Sequence, residues 1–286
     1  MTPDIKSVAV VGAGAMGAGI AQVCATSGFP TILFDVNQSL LEKSLKTIEL
    51  NLEAGVQKNK LTADQKKDAL QRITLASSLT ELRSDLVIEA IIEKLEVKHE
   101  LFKNLEEINS TSTILATNTS SIPITQIAAV LKRPENCVGL HFFNPAHLMK
   151  LVEVIAGAAT HTQVVQAMVD FSKRLDKVAV IAKDSPGFIV NRVARHYYVE
   201  ALKALEEGVA SHEQMDRLLR SAGFRMGPFE LMDLIGVDTN FSVTSSMYQS
   251  FFQDLKFRPS RIQQLKVLAG HHGRKSGKGF YEYPQK

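Results

Sequence analysis

Cysteine is scarce in this sequence. Only Cys24 and Cys137 occur in 286 residues, far apart and outside any C-x-x-C context. That excludes a disulfide framework, gives no metal site, and points to a reducing compartment, the cytoplasm. A long basic block is missing too. The 33 Lys and Arg are nearly balanced by 30 Asp and Glu, so nucleic acid is not the expected partner. There is no internal repeat and no low-complexity segment. Residues 7–34 carry no charge and are long enough to imitate a membrane span. Yet the apolar run Val8–Val11 is short, and five glycines, Gln22 and Pro30 interrupt the rest. "KSVAVVGAGA" imitates a short signal peptide, but Asp4 precedes it. No targeting sequence and no membrane association are expected, and the fold is expected to begin almost at residue 5.

What is present suits a globular chain: 45% hydrophobic residues and a mean hydropathy near zero. "SVAVVG" reads as a buried strand, "AMGAGIAQVCATSG" as a helix ending on Gly28, and "TILFD" as a second strand. Residues 38–71 read as one long amphipathic helix or a helical pair. Strands follow at 73–77, 85–91, 113–117, 136–143, 150–155 and 177–182, with helices at 97–108, 123–131 and 161–175 between them. Alternating apolar strands and helices predict an α/β Rossmann-type domain with a mainly parallel sheet. After Pro186 the strands stop. Helices are expected from Val190 to Gly208, from "SHEQ" to Gly223, over Pro228–Ile235, over 238–255 and over 260–269. Domains are therefore expected at 1–185 (dinucleotide binding) and 186–286 (all-α). A helical domain of about 100 residues is small for a lone core. Docking on the first domain or homodimerisation would help it.

Chemistry concentrates at strand ends. In "VGAGAMGAGI", Gly12, Gly14 and Gly17, with Ala15 and Met16 between them, form G-x-G-x-x-G after a strand and at the start of a helix. The glycines permit the tight turn, the approach of a pyrophosphate and close helix–strand packing. Asp35 closes the second strand, where a carboxylate takes two ribose hydroxyls and repels a 2′-phosphate. No Arg follows nearby, so NAD is the expected cofactor rather than NADP.

Glu89 lies within an apolar strand and Glu93 just past it. Position alone leaves Glu93 as either a ligand at the sheet edge or a solvated loop carboxylate. In "ATNTSSIPITQI", Asn118 to Ser121 lie beyond another strand end. Ser121 is placed to cap the next helix, while Ser120 is freer to point into a site. In "GLHFFNPAHLMKLVEVI", His141 and Glu153 interrupt apolar strands. A buried charge costs several kcal/mol unless paired, so the two face either water or each other. Paired, they make a general base and the carboxylate that fixes its tautomer. His147 and His161 sit in more polar settings.

These residues, together with "DSPGFIVNR", "GPFELMDLIGVD" and "GRKSGKGFYEY", closely resemble the L-3-hydroxyacyl-CoA dehydrogenase family over nearly the whole chain, and its short single-enzyme 3-hydroxybutyryl-CoA form in particular. The resemblance implies His141 as catalytic base and Glu153 as its partner. It implies Ser120 in contact with substrate and nicotinamide, and Asn191 at the reacting oxygen. Glu93, Lys98, Asn144 and Lys275 match positions that contact the cofactor. Asn51 stands where a coenzyme-A-contacting serine occurs, while Lys58 and Lys60 suit the phosphates. "NPAHLMK" departs from the family in its Ala-His pair, and Lys94 replaces a common Asn. No hydratase-like domain is expected.

The implied activity is reversible oxidation of an L-3-hydroxyacyl-CoA to the 3-ketoacyl-CoA with NAD, the thioester entering between the domains of a dimer. Two alternatives remain at this point. One is a dehydrogenase of a non-CoA hydroxyacid, such as a sugar acid or a carnitine-like compound. The other is a structural dinucleotide-binding protein without catalysis. Acetoacetyl-CoA and NADH together separate all three.

Overall fold

A computed structural model describes residues 4–284. Eight strands form one sheet: β1 (Val8–Val11), β2 (Thr31–Phe34), β3 (Ile73–Ala76), β4 (Leu86–Glu89), β5 (Ile114–Thr117), β6 (Cys137–Phe142), β7 (Leu151–Ala156) and β8 (Val178–Lys183). Their spatial order is β3-β2-β1-β4-β5-β6-β7-β8. All neighbours run parallel except β6 and β7. β1, β4, β5 and β6 are buried at every residue. That is why they read as unbroken Val/Ile/Leu runs rather than alternating ones: helices cover both faces.

Six helices belong to this part: α1 (Ala15–Thr26), α2 (Gln38–Gln57), α3 (Ala63–Gln71), α4 (Leu95–Ile108), α5 (Ile124–Ala128) and α6 (Thr162–Arg174). The core joins Ile20, Leu33, Leu41, Ile48 and Met168. Phe29 meets Phe171 edge-on at 5.1 Å. Between α2 and α3 the chain turns at Asn59, whose φ of 53° no helix continues. Thr62 and Gln65 then restart it as a reciprocal capping box. Residues 38–71 are thus a helical pair.

The topology also places the crevice. β2 and β3 lie on one side of β1, and the chain then crosses back to lay β4 on the other. Connections leaving β1 and β4 diverge, which opens a cleft at their C-terminal ends.

The chain divides into two compact units, Met1–Ser185 and Pro186–Lys286. The second is helical: α7 (Val190–Glu206), α8 (His212–Ser221), α9 (Pro228–Ile235), α10 (Val237–Ser250) and α11 (Arg261–Leu268). Tyr198, Leu202, Phe229, Met232, Val237 and Phe280 form its core. α10 stops five residues short of the expected 255. Phe252 and Gln253 have φ of 53° and 64°, so the chain leaves the helix there.

Two buried aspartates tie this unit together. Asp216 accepts from the N–H groups of Phe229 and Glu230 at the start of α9, and from the Tyr281 hydroxyl. Asp233 accepts from the N–H groups of Phe280 and Tyr281 and from the Tyr283 hydroxyl. A Cβ on Gly227 would lie 2.1 Å from Asp216, and one on Gly279 2.1 Å from Asp233. The glycines, Asp233 and the tyrosines of "GPFELMD" and "GKGFYEY" are therefore, with Asp216 of α8, one packing device. Among the described residues, no helix is long and apolar enough to cross a membrane.

Candidate active site

The site begins where β1 ends. Gly12 turns the chain at φ 103°, and a Cβ there would meet the Ala90 carbonyl oxygen at 2.5 Å. Gly17 sits so close under the turn that a Cβ would fall 1.7 Å from the Gly12 oxygen. Gly14 differs: a Cβ on it would meet nothing within 4 Å. It caps α1 without a side-chain partner, and no acidic residue lies in the first turn. So the helix start faces open space with unspent N–H groups, as an anion requires.

Asp35, just past β2, accepts from the Ala13 N–H at 2.7 Å and the Asn37 N–H at 2.9 Å. It is therefore fixed beside the glycine turn. A cavity of about 680 Å³ is lined by Gly12, Gly14, Ala15, Met16 and Asp35, and walled by Ile91, Val97 and Leu101. Its polar end beside the helix start and its apolar walls fit a dinucleotide, and Asp35 lies on its wall. Val36, Asn37 and Gln38, which follow, carry no cation for a 2′-phosphate.

Beyond β4 and β5 lies a buried ionic network. Lys98, 1% exposed, places its ammonium 2.6 Å from Glu89 and 3.1 Å from Glu93. Glu89 also accepts from the Ile91 N–H and the Thr117 hydroxyl, both at 2.7 Å. One oxygen of Glu93 gathers the Thr119 hydroxyl at 2.5 Å and the Ser120 N–H at 3.0 Å. It also takes the Ser121 hydroxyl at 3.0 Å and N–H at 3.2 Å. Burial pushes the Glu93 carboxyl upward, but the Lys98 ammonium and the hydroxyls outweigh it, and its pKa falls. Glu93 thus pins the Asn-Thr-Ser-Ser loop.

Ser121 is not the helix cap its position suggested. Asp184 caps α5 instead, accepting from the N–H groups of Ile124 and Thr125 at 2.9 and 2.8 Å. Thr119, unmarked in the sequence, accepts from the Ile122 N–H and holds the loop's turn. A Thr two or three residues before unbonded N–H groups is a legible signal for such a turn. Asp184 had no local signal, because its partners lie about sixty residues away in sequence.

His141 and Glu153 are directly opposite in the antiparallel β6–β7 pair. His141 Nδ1 lies 2.7 Å from Glu153 Oε2, and both side chains are buried, at 7% and 1% exposure. Phe143 packs tilted against the imidazole at 4.6 Å. Asn118 connects this pair to the serine loop: its Oδ1 accepts from the Phe142 N–H at 2.8 Å. Ser120 is half-buried on that loop, and Asn144 is exposed just beyond β6. The arrangement can accept a proton on an imidazole while a carboxylate stabilises the resulting cation.

The remaining predicted residues lie elsewhere. Lys58 and Lys60 line a second cavity of about 650 Å³ in the first unit. Asn51 there donates to the Gln22 side chain at 3.1 Å. Asn191 lies in the first turn of α7, and Lys275 pairs with Asp238 at 2.7 Å, both in the second unit. Among the described residues no cluster suits a metal.

Comparison with known proteins follows the same division. Residues 7–185 match the 3-hydroxyacyl-CoA dehydrogenase NAD-binding domain, and residues 187–283 match the C-terminal domain of the same family. The 3-hydroxyadipyl-CoA dehydrogenase of Escherichia coli is 48% identical over 99% of this chain, which spans 60% of that relative's length. A probable 3-hydroxybutyryl-CoA dehydrogenase of Bacillus subtilis is 42% identical, with 99% of both chains covered. The crystal structure of (S)-3-hydroxybutyryl-CoA dehydrogenase from Ralstonia eutropha superposes with a TM-score of 0.94 at 39% identity, covering 99% of this chain and 100% of that one.

Proposed function

The chain belongs to the 3-hydroxyacyl-CoA dehydrogenase family, and from that premise we propose that it interconverts an L-3-hydroxyacyl-CoA and the 3-ketoacyl-CoA with NAD, on short acyl chains such as 3-hydroxybutyryl. The observation that carries this reading is the buried His141–Glu153 pair at 2.7 Å, on β6 and β7 of the same sheet whose β1 carries the glycine turn.

When bound, NAD⁺ supplies the hydride acceptor. Gly12, Gly14, Ala15, Met16, Gly17 and Asp35 hold it, with the loop pinned by Glu93 and, through Glu93, by Lys98. In the oxidation, His141 takes the proton of the carbon-3 hydroxyl. Its Nδ1 is bonded to Glu153, so that proton arrives at Nε2. Glu153 stabilises the imidazolium. Ser120 and Asn191 orient the reacting oxygen, and Asn144 and Lys275 complete the cofactor contacts. Lys58 binds a phosphate of the coenzyme A moiety.

The proposal extends to a homodimer through the second unit, which exposes Val193, Leu218, Phe224 and Leu268. It also extends to a cytoplasmic location. Burial pushes the Cys24 thiol up to about 12, and Cys137 moves the same way, so both behave as core side chains.

The test is direct. Purified protein is given NADH or NADPH with acetoacetyl-CoA, 3-ketoadipyl-CoA, longer 3-ketoacyl-CoAs or free ketoacids. Turnover of the short thioesters with NADH is expected. Turnover of free ketoacids alone would give the reading to a non-CoA dehydrogenase, and turnover of none would give it to a binding protein.

A further inference from the structure

His147 belongs to the Ala-His pair by which "NPAHLMK" departs from its family. In the structure it is half-buried and lines the second cavity with Asn51, Lys58, Lys60, Lys150 and Lys177. The charges around that cavity are unequal in what they can offer an anion. Lys150 is bonded to Asp176, the cavity's one carboxylate. Lys177 donates to the carbonyl oxygens of Ala146 and Met149 at 2.6 and 2.7 Å, and so sits under the segment that carries His147. Among the described residues Lys58, Lys60 and His147 make no ion pair. On the cavity wall α1 and α2 add no charged side chain: their polar residues there are Gln22, Thr26 and Asn51.

We propose that His147 reads the phosphates of the coenzyme A thioester, serving as a third cation beside Lys58 and Lys60 once the anion is in the cavity. This rests on the placement of a coenzyme A phosphate at Lys58. Burial, then the Lys177 ammonium, hold the His147 imidazole below its usual range in the empty cavity. A phosphate anion reverses that balance, so binding takes up a proton. Above neutral pH the imidazole stays neutral and contributes no charge. At mildly acidic pH it adds one cation, worth about a two- to fivefold gain in affinity for a partly exposed pair.

Two measurements test this. The first is KM for acetoacetyl-CoA and for acetoacetyl-pantetheine, which lacks the nucleotide phosphates, between about pH 6 and pH 8.5. Wild type is compared with His147→Val, His147→Gln and Lys58→Ala. The 3′-phosphate itself titrates near pH 6, so the ratio of variant to wild type is the signal. The KM ratio for acetoacetyl-CoA should rise about two- to fivefold toward low pH. The kcat ratio and the pantetheine ratio should stay flat.

The second is the NMR titration of His147, whose midpoint should rise when coenzyme A is added and stay put with pantetheine. If coenzyme A leaves that midpoint unmoved while Lys58→Ala raises KM for acetoacetyl-CoA, the phosphates sit in this cavity and His147 does not read them. If Lys58→Ala also leaves KM unchanged, the placement of the phosphates falls and the proposal falls with it.

Discussion

Glu153→Gln isolates the carboxylate's charge from its shape. Glu153 is 1% exposed and 2.7 Å from His141 Nδ1, so the amide fits the same space. The imidazole is neutral before it takes the substrate proton and cationic after, so the charge interaction grows as the reaction proceeds. Opposite charges about 4 Å apart at an effective dielectric near 20 attract by about 4 kcal/mol. A neutral amide oxygen returns about 1 kcal/mol of that as a hydrogen bond. The net loss of about 3 kcal/mol is about two orders of magnitude in turnover. If the amide presents its NH₂ instead, the imidazole takes the wrong tautomer and the loss approaches ~10⁴.

The assay is steady-state NADH oxidation with acetoacetyl-CoA, beside NADH binding by fluorescence and thermal unfolding. The loss should fall on kcat, with NADH affinity and Tm near wild type. A variant that keeps kcat within about threefold, with an unchanged Tm, would show that Glu153 only fills the core. A loss confined to KM would show that it shapes binding rather than the proton transfer.

Further outcomes follow from the same geometry. Gly14→Ala should fold normally, because its Cβ meets nothing within 4 Å, yet raise the NAD⁺ KM by about tenfold or more; normal cofactor binding would remove Gly14 from the cradle. Gly17→Ala forces a Cβ to 1.7 Å from a backbone oxygen, so it should cost at least ~3 kcal/mol or abolish soluble expression. Asp35→Ala should raise the NAD⁺ KM by about tenfold and narrow the preference for NADH over NADPH; an unchanged ratio would sink the ribose assignment. Glu93→Gln should lower Tm at neutral pH by a few degrees, since it weakens several bonds to one loop. The Glu93 pKa is depressed in the folded protein, so its contribution is present above the unfolded value near 4.3 and lost as pH falls through the folded one. The Tm curves of wild type and variant should converge once pH has fallen through the folded value, and a gap that persists there would assign the effect to packing.

The sheet was legible because covered strands must be apolar on both faces, and the helical region because its caps are local. "SHEQ" before α8 is a capping box whose two hydrogen bonds lie within four residues. The glycine turn was legible for the same reason: Gly12, Gly17 and the strand–helix junction all lie within ten residues. The cap of α5 and the end of α10 are not legible locally. α5 is capped by Asp184, about sixty residues on, and α10 ends at two left-handed residues, Phe252 and Gln253, of a type that gives no turn signal. Asp216 and Asp233 carry no local signal either. Their partners are backbone N–H groups and distant tyrosine hydroxyls, so no charged counterpart marks them in the sequence.

Glu89 and Glu153 show where such reading stops. Each is a glutamate inside an apolar strand, each is fully buried, and each has a partner. On composition and pattern they are the same feature, and the cost of burying an unpaired carboxylate predicts a partner for both. Their partners separate them. Glu89 is closed by Lys98, Thr117 and the Ile91 N–H, and Lys98 is held in turn by Glu93. The Lys98 ammonium is enclosed between two carboxylates at 1% exposure, out of reach of a substrate, so this set holds a loop. Glu153 is closed by a histidine, whose ring carries a second nitrogen on the far side of the bond, an atom that can take a proton. A buried carboxylate therefore marks a place where the fold needs a partner, and the chemistry of that partner decides whether the place is a fastening or a site.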